Sequence, residues 1–275
     1  MVRRSFPLLA VGALLAGCAT APPRSDKLAY QAYQQQNDPL QPTNRVFYRF
    51  DNTLDAYVLR PVAVGYRKVT TPGIRRHVTY FGENLEEPGE LFNFMAEGKP
   101  RLAGTALVRF VVNSTLGIGG IFDPAGAMGY HHTYTDTGLT LADWGVGQGP
   151  YLYLPFFGPS DVRDATSLPA GIVLSPTFGA PASAGLKAFN YSEYALGTVN
   201  EREQLLGKIG QIKASALDPY ATFRSLYRQH RAAELQTIKR RNVLTVPAWY
   251  PPKERAEMQQ AAEKAQGQST QSTNQ

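Results

Sequence analysis

Few side chains in this sequence are suited to chemistry. Adjacent His131 and His132 sit in a polar segment with Tyr134 and Asp136. Neighbouring residues point in different directions on most backbones, so a metal ion there would need further ligands from elsewhere in the chain. No Gly-x-Ser-x-Gly elbow marks a nucleophile, although triad members need not be close in sequence. Gly117-x-Gly119-Gly120 lacks the third glycine of a dinucleotide fingerprint and follows a helical pattern instead of a strand. No Walker-type Gly-Lys-Ser is present. The residues predict no enzyme activity, no metal and no cofactor.

One stretch is chemically odd. Residues 102–122 are mostly apolar, yet they contain Arg109, Asn113 and Ser114, with Gly117, Gly119 and Gly120 close to the end. A charge at the centre of a spanning helix costs ~2.5–3.5 kcal/mol on insertion scales. Glycines so close together also break a helix. Two readings remain open: a helix lying within one leaflet of a bilayer, followed by a turn, or a buried helix of a water-soluble core.

The remaining chemistry is at Cys18, the one cysteine of the chain. Arg3 and Arg4 precede a short apolar run, Ser5 to Leu15, and Ala16-Gly17 supplies small residues before a cut. That is the layout of a secretory signal, too short to span a membrane. Leu15-Ala16-Gly17-Cys18 resembles a lipobox, where bacteria acylate the cysteine and cleave before it. A lone cysteine in an exported protein has no internal disulfide partner, and acylation gives it a role. Each buried methylene contributes roughly 0.8 kcal/mol, so several acyl chains would anchor Cys18 firmly. Ala19, where lipoproteins retained at the inner membrane commonly carry Asp, points to the outer membrane.

These residues require a scaffold. The expected organisation is a signal peptide at 1–17, a lipidated flexible tether at 18–37, a helical domain at 38–248 and a disordered polar tail at 249–275. Of 28 Lys and Arg, Arg3 and Arg4 leave with the signal, so 26 face 22 Asp and Glu. That balance is far too mild for nucleic acid.

Within the domain, breaks and periodicity favour helices. Asn44 is expected to cap a helix running toward Val69, interrupted at Pro61. Thr71-Pro72 should start another, and Glu87-Pro88 a further one that stops at Gly98, with Pro100 opening the next. The last long helix should run from Asp218-Pro219 to about Arg241, with Arg224, Arg228, Arg231 and Lys239 on a solvated side. The aromatic, proline-punctuated segment 149–159 fits either a core loop or the water–bilayer boundary. Ser160 is expected to cap a helix after it, with Asp161 at its positive end.

A family resemblance joins these pieces. Asp38-Pro39-Leu40-x-Pro42-x-Asn44-Arg45 and Leu54-Asp55-x-Tyr57-Val58-Leu59-Arg60-Pro61 resemble the opening of the MlaA (VacJ) family. Asn84-Leu85-x-Glu87-Pro88 follows, then Arg109-Phe110-x-x-Asn113-Ser114-x-Leu116-Gly117-x-Gly119-Gly120-x-Phe122-Asp123. Leu139-Thr140-Leu141-x-x-Trp144-Gly145-Val146-Gly147 and Leu154-Pro155-x-x-Gly158-Pro159-Ser160-x-x-Arg163-Asp164 complete the series. The match is looser at Thr79–Gly82 and His131–Thr137.

The resemblance implies an all-α fold: a ring of amphipathic, partly membrane-embedded (monotopic) helices around a central channel. It implies an outer-membrane lipoprotein that removes mislocalised phospholipids from the outer leaflet. Its implied partners are phospholipids, a trimeric porin and a soluble periplasmic lipid carrier. Arg109, Asn113, Gly117, Gly119 and Gly120 become candidates for the lipid path, and Cys18 for lipidation. The alternative is a structural, porin-associated envelope lipoprotein without transport.

Overall fold

The computed structural model describes residues 37–174 and 183–244, with Pro23, Ser25, Asp26 and Leu28 ahead of them. Cys18, most of the tether and the polar tail lie outside the described residues. The architecture is all-α, interrupted by one short hairpin.

Helix α1 spans Gln41–Leu54, and a π-helical turn, Asp55–Leu59, joins it to α2, Arg60–Val69. The expected break at Pro61 takes this form. Proline has no N–H to give the carbonyl of Tyr57, and the ladder widens just before it, with Arg60 N–H donating to the Asp55 carbonyl. Asn44 is not the cap. It lies inside α1, almost fully buried, and Pro42 sits in the first turn.

Helix α3 spans Pro72–Ala96, and Thr71 caps it by accepting from Ile74 N–H. Glu87-Pro88 does not start a helix: α3 continues straight through Pro88. The proline removes one ladder bond, to the carbonyl of Asn84, while packing against the next helix holds the rest. Gly98, at φ +69°, ends the helix as expected. Helix α4 then runs Pro100–Thr115 antiparallel to α3, and this is the most extensive pairing in the molecule. A short α5, Pro124–Ala127, and α6, Thr137–Asp143, follow.

The aromatic segment is a hairpin. Strand β1, Tyr151–Leu154, pairs antiparallel with β2, Gly158–Asp161. Tyr151 and Tyr153 face inward against Tyr220, Tyr48 and Tyr227, while Phe156 and Phe157 at the tip are exposed. The core-loop reading therefore holds for the two tyrosines, while the tip is simply exposed. Ser160 lies in β2 and caps nothing. Asp161 instead accepts the Asp164 N–H at the start of a 3₁₀ turn, Asp164–Thr166.

Helix α7, Ser167–Leu174, α8, Ala184–Gln204, α9, Leu206–Ser215, and α10, Pro219–Leu244, complete the fold. On the basic side of α10, Lys239 is exposed as expected, but the three arginines are not solvated. Arg228 and Arg231 are buried and Arg224 is paired with Asp38. The Arg231 guanidinium binds both oxygens of Asp136, at 2.8 and 2.9 Å, and Asp164 at 2.6 Å. This basic stripe ties the last helix to α6 and to the 3₁₀ turn after the hairpin.

Candidate functional site

The site begins with the two faces of α4. Leu102, Ala103, Thr105, Ala106, Arg109 and Asn113 are buried against the protein. Leu107 and Val111, one helical turn apart, are about half exposed. The charged residue thus points inward and the branched apolar residues point out.

Arg109 is 1 % exposed and anchors an ionic centre. Its Nε donates to Glu87, Nη2 donates to Glu83 at 3.3 Å, and Nη1 reaches Asp123 at 3.1 Å and the Tyr130 carbonyl at 2.8 Å. Burial works against the guanidinium charge, but Glu87, Asp123 and Glu83 outweigh it and raise its pKa further. Asn113 completes the centre: its Nδ2 donates to Asp123 and its Oδ1 accepts from Ala125 N–H. The sequence brings these groups together through a regular spacing. Glu83, Glu86, Glu87 and Glu90 recur at three and four residues along α3, opposite Arg109, the buried cation of α4. That acidic periodicity is the signal in the sequence for the centre.

The glycines form the turn that follows α4. Gly119 and Gly120 have φ of +69° and +94°, and Ile118 also lies in the left-handed region at φ +54°. A side chain at Gly120 would meet Asn84 at 2.5 Å, and one at Gly117 would meet the Phe122 carbonyl at 2.4 Å. The Asn84 amide in turn donates to Ser114 Oγ at 3.0 Å. The strained turn presents Leu116, Ile118, Ile121 and Phe122 outward, all more than two-fifths exposed. Of the sequence candidates, then, Arg109 and Asn113 share one buried centre, and the three glycines shape the adjoining turn. Cys18 lies outside the described residues.

The acidic face of α3 also meets acids of α8. Glu86 is exposed to solvent, yet the surrounding protein pushes its carboxyl up to about 7, with Glu201, Glu83 and Glu193 adding to the rise. Burial likewise raises Glu83, and it raises Glu201 and Glu193 on α8. Acids from two helices therefore face one another here.

The whole molecule repeats the inversion of α4. Among the described residues, 21 buried side chains are polar or charged and 11 are apolar. Exposed large apolar residues run through α1, α2, α4, the 116–122 turn and the hairpin tip. A water-soluble domain keeps the opposite balance in its core. No helix among the described residues is long and apolar enough to cross a membrane.

A family model described as MlaA lipoprotein matches residues 36–234. The chain belongs to the MlaA family. An uncharacterised protein of Rickettsia bellii is 36 % identical over 203 residues, covering 74 % of this chain and 78 % of that one. The Escherichia coli intermembrane phospholipid transport system lipoprotein MlaA is 35 % identical, over 80 % of this chain and 84 % of its own. A chain solved in work on the structural basis for maintenance of bacterial outer membrane lipid asymmetry superposes with a TM-score of 0.63 at 32 % identity. That match covers 73 % of this MlaA-family chain and all of the solved one.

Proposed function

We propose that this MlaA-family protein is a lipoprotein of the outer membrane that carries phospholipid out of that membrane's outer leaflet. The observation that carries the reading is the inversion: ionic groups face inward beneath an exposed apolar exterior. A phospholipid headgroup crosses hydrocarbon only at high cost. A half-immersed helical ring with a wet interior removes that cost, while its apolar outer face stays in the leaflet. The relative named for intermembrane phospholipid transport supports the same assignment.

In this reading α4 and the 116–122 turn lie in the membrane, with Arg109 and Asn113 holding the inner wall of the lipid path. Gly117, Gly119 and Gly120 let the backbone reverse within the leaflet. Cys18, acylated after removal of residues 1–17, tethers the domain through residues 18–37, and residues 249–275 form a polar tail. A trimeric porin supports the ring in the bilayer, and a soluble periplasmic carrier receives the lipid. The protein uses no nucleotide and breaks no bond.

Outer-leaflet phospholipid, measured in a deletion strain with and without this gene restored, tests the proposal. It should rise on deletion and fall on complementation. Gly119→Val, lipidated and abundant, should complement poorly. Envelope leakage with normal lipid placement would overturn the transport reading in favour of a structural porin partner.

A further inference from the structure

We propose that Glu86, Glu90 and His132 form a site for one divalent cation of the zinc class. Glu86 and Glu90 lie one turn apart on α3, so their carboxylates share a face. His132 arrives from the segment between α5 and α6. One donor atom from each of the three lies within 4.8 Å of the others. Zinc holds oxygen and nitrogen at ~2.0–2.2 Å, which places its ligand atoms somewhat closer together than this bound. The exposed side chain of Glu86 has the freedom to close that gap.

A second observation points to a ligand. Glu90 is 2 % exposed, and neither of its oxygens makes a hydrogen bond of good geometry, with the Thr135 N–H and the Glu87 carboxyl the polar groups near it. A carboxylate sealed from water without well-aimed donors is costly, and coordination to a cation removes the cost. Protein cations do not supply this. Arg109 is engaged by Glu83, Glu87, Asp123 and the Tyr130 carbonyl. Arg241 meets this segment at the His132 carbonyl and the Thr133 hydroxyl. What faces Glu90 is the imidazole, with His132 Nδ1 3.6 Å from Oε2. Glu87 Oε1, 3.3 Å from the same nitrogen, is placed to orient the ring as a supporting carboxylate.

The donor chemistry selects the ion. Two carboxylates and an imidazole suit zinc and its neighbours, whereas magnesium and calcium prefer oxygen alone. The exposed side of Glu86 leaves the outer coordination position to water. A bound ion would clamp the 128–136 segment onto α3 and offset the surplus negative charge of this helix face. The inference does not depend on the phospholipid reading, because it is tested by metal binding alone.

The test uses the full acylated protein in detergent, stripped with chelator and then titrated calorimetrically with Zn²⁺. One Zn²⁺ per chain is expected, with a rise in melting temperature. Glu90→Gln, His132→Gln and Glu86→Gln should each weaken binding at least tenfold, and His230→Gln should not. Mg²⁺ at the same concentration should not compete. If Glu90→Gln fails to fold, the exposed Glu86→Gln and His132→Gln still decide the matter. Equal Zn²⁺ binding by wild type and the His132→Gln, Glu86→Gln pair would overturn the site, as would equal competition by Mg²⁺.

Discussion

Two buried arginines hold this molecule together, and they are surrounded very differently. Arg231 joins α10 to α6 and to the 3₁₀ turn after the hairpin through Asp136 and Asp164, while Arg163 gives Asp164 a second cation at 2.8 Å. Three arginines, Arg163, Arg228 and Arg231, there meet four acids, Asp136, Asp161, Asp164 and Glu234. Burial pushes the Asp164 carboxyl up, but the hydrogen bonds from Arg231 and Arg163 outweigh it and leave it below the usual range. Arg109 instead faces Glu83, Glu87 and Asp123, with Glu86 and Glu90 just beyond. Acids far outnumber cations at this centre, and burial holds Glu83, Glu86 and Glu90 above their ordinary values. A centre whose acids are mostly matched fastens elements. A centre left acidic retains the capacity to meet something else, beneath an apolar face.

The contrast can be broken most directly at Arg109. Arg109→Met strands three carboxylates around a buried position and should cost about 5 kcal/mol, at the upper end for a broken buried pair. Thermal unfolding in detergent would read this as a large fall in melting temperature. Arg231→Met should cost less, about 3 kcal/mol, because Arg163 remains with Asp164. Equal losses would show that surplus acid does not distinguish the two centres.

Proton linkage sharpens the comparison from the Arg231 side. Burial and the neighbouring Asp164 push Asp161 up to about 6. A carboxyl raised on folding binds more protons in the native state, so its ionisation opposes folding as pH climbs from about 4 to 6. Acidification from pH 7 to pH 4 should therefore stabilise wild type relative to Asp161→Asn, by about 2 kcal/mol. Asp164 has the opposite sign. Its contribution is present above the ordinary carboxylate range and is lost as pH falls through its depressed value. Identical stability profiles for wild type and Asp161→Asn would refute the assignment.

The smallest effect belongs to the turn. Gly119→Val meets no neighbour, so only its left-handed backbone resists, at about 1–2 kcal/mol. Gly120→Val should cost more than Gly119→Val, since its side chain also strikes Asn84. If both variants unfold at the wild-type temperature, the turn is not held in the conformation described.

Local signals in the sequence were read well where they act locally. Thr71-Pro72, Gly98 and Pro100 mark real helix ends, because capping and proline geometry depend on a few adjacent residues. Pro88 misled for the complementary reason: packing along α4 outweighs one missing ladder bond. Pro150 and Pro155 exclude a helix without revealing the hairpin that spans Tyr151–Asp161. The arginines of α10 looked solvent-facing because their acids lie far away in the chain; Asp38 is 186 residues from Arg224. Arg109 and Asn113 stood out as misfits in an apolar run, but their carboxylate partners required the α3–α4 pairing. His132 was weighed as a ligand without partners, and Glu86 and Glu90 become its neighbours only in three dimensions.

One side chain in α1 sets how the hairpin can lie. The Asn44 amide donates to the Tyr151 carbonyl at 3.1 Å and accepts from Tyr153 N–H at 3.0 Å, as a neighbouring strand would. It is a one-residue substitute for a third strand, closing part of an edge that another chain could otherwise join. It also works as a key for alignment. Sliding the ribbon by one position would turn Tyr151 and Tyr153 outward and bring Leu152 and Leu154 in, with no matching groups for the amide.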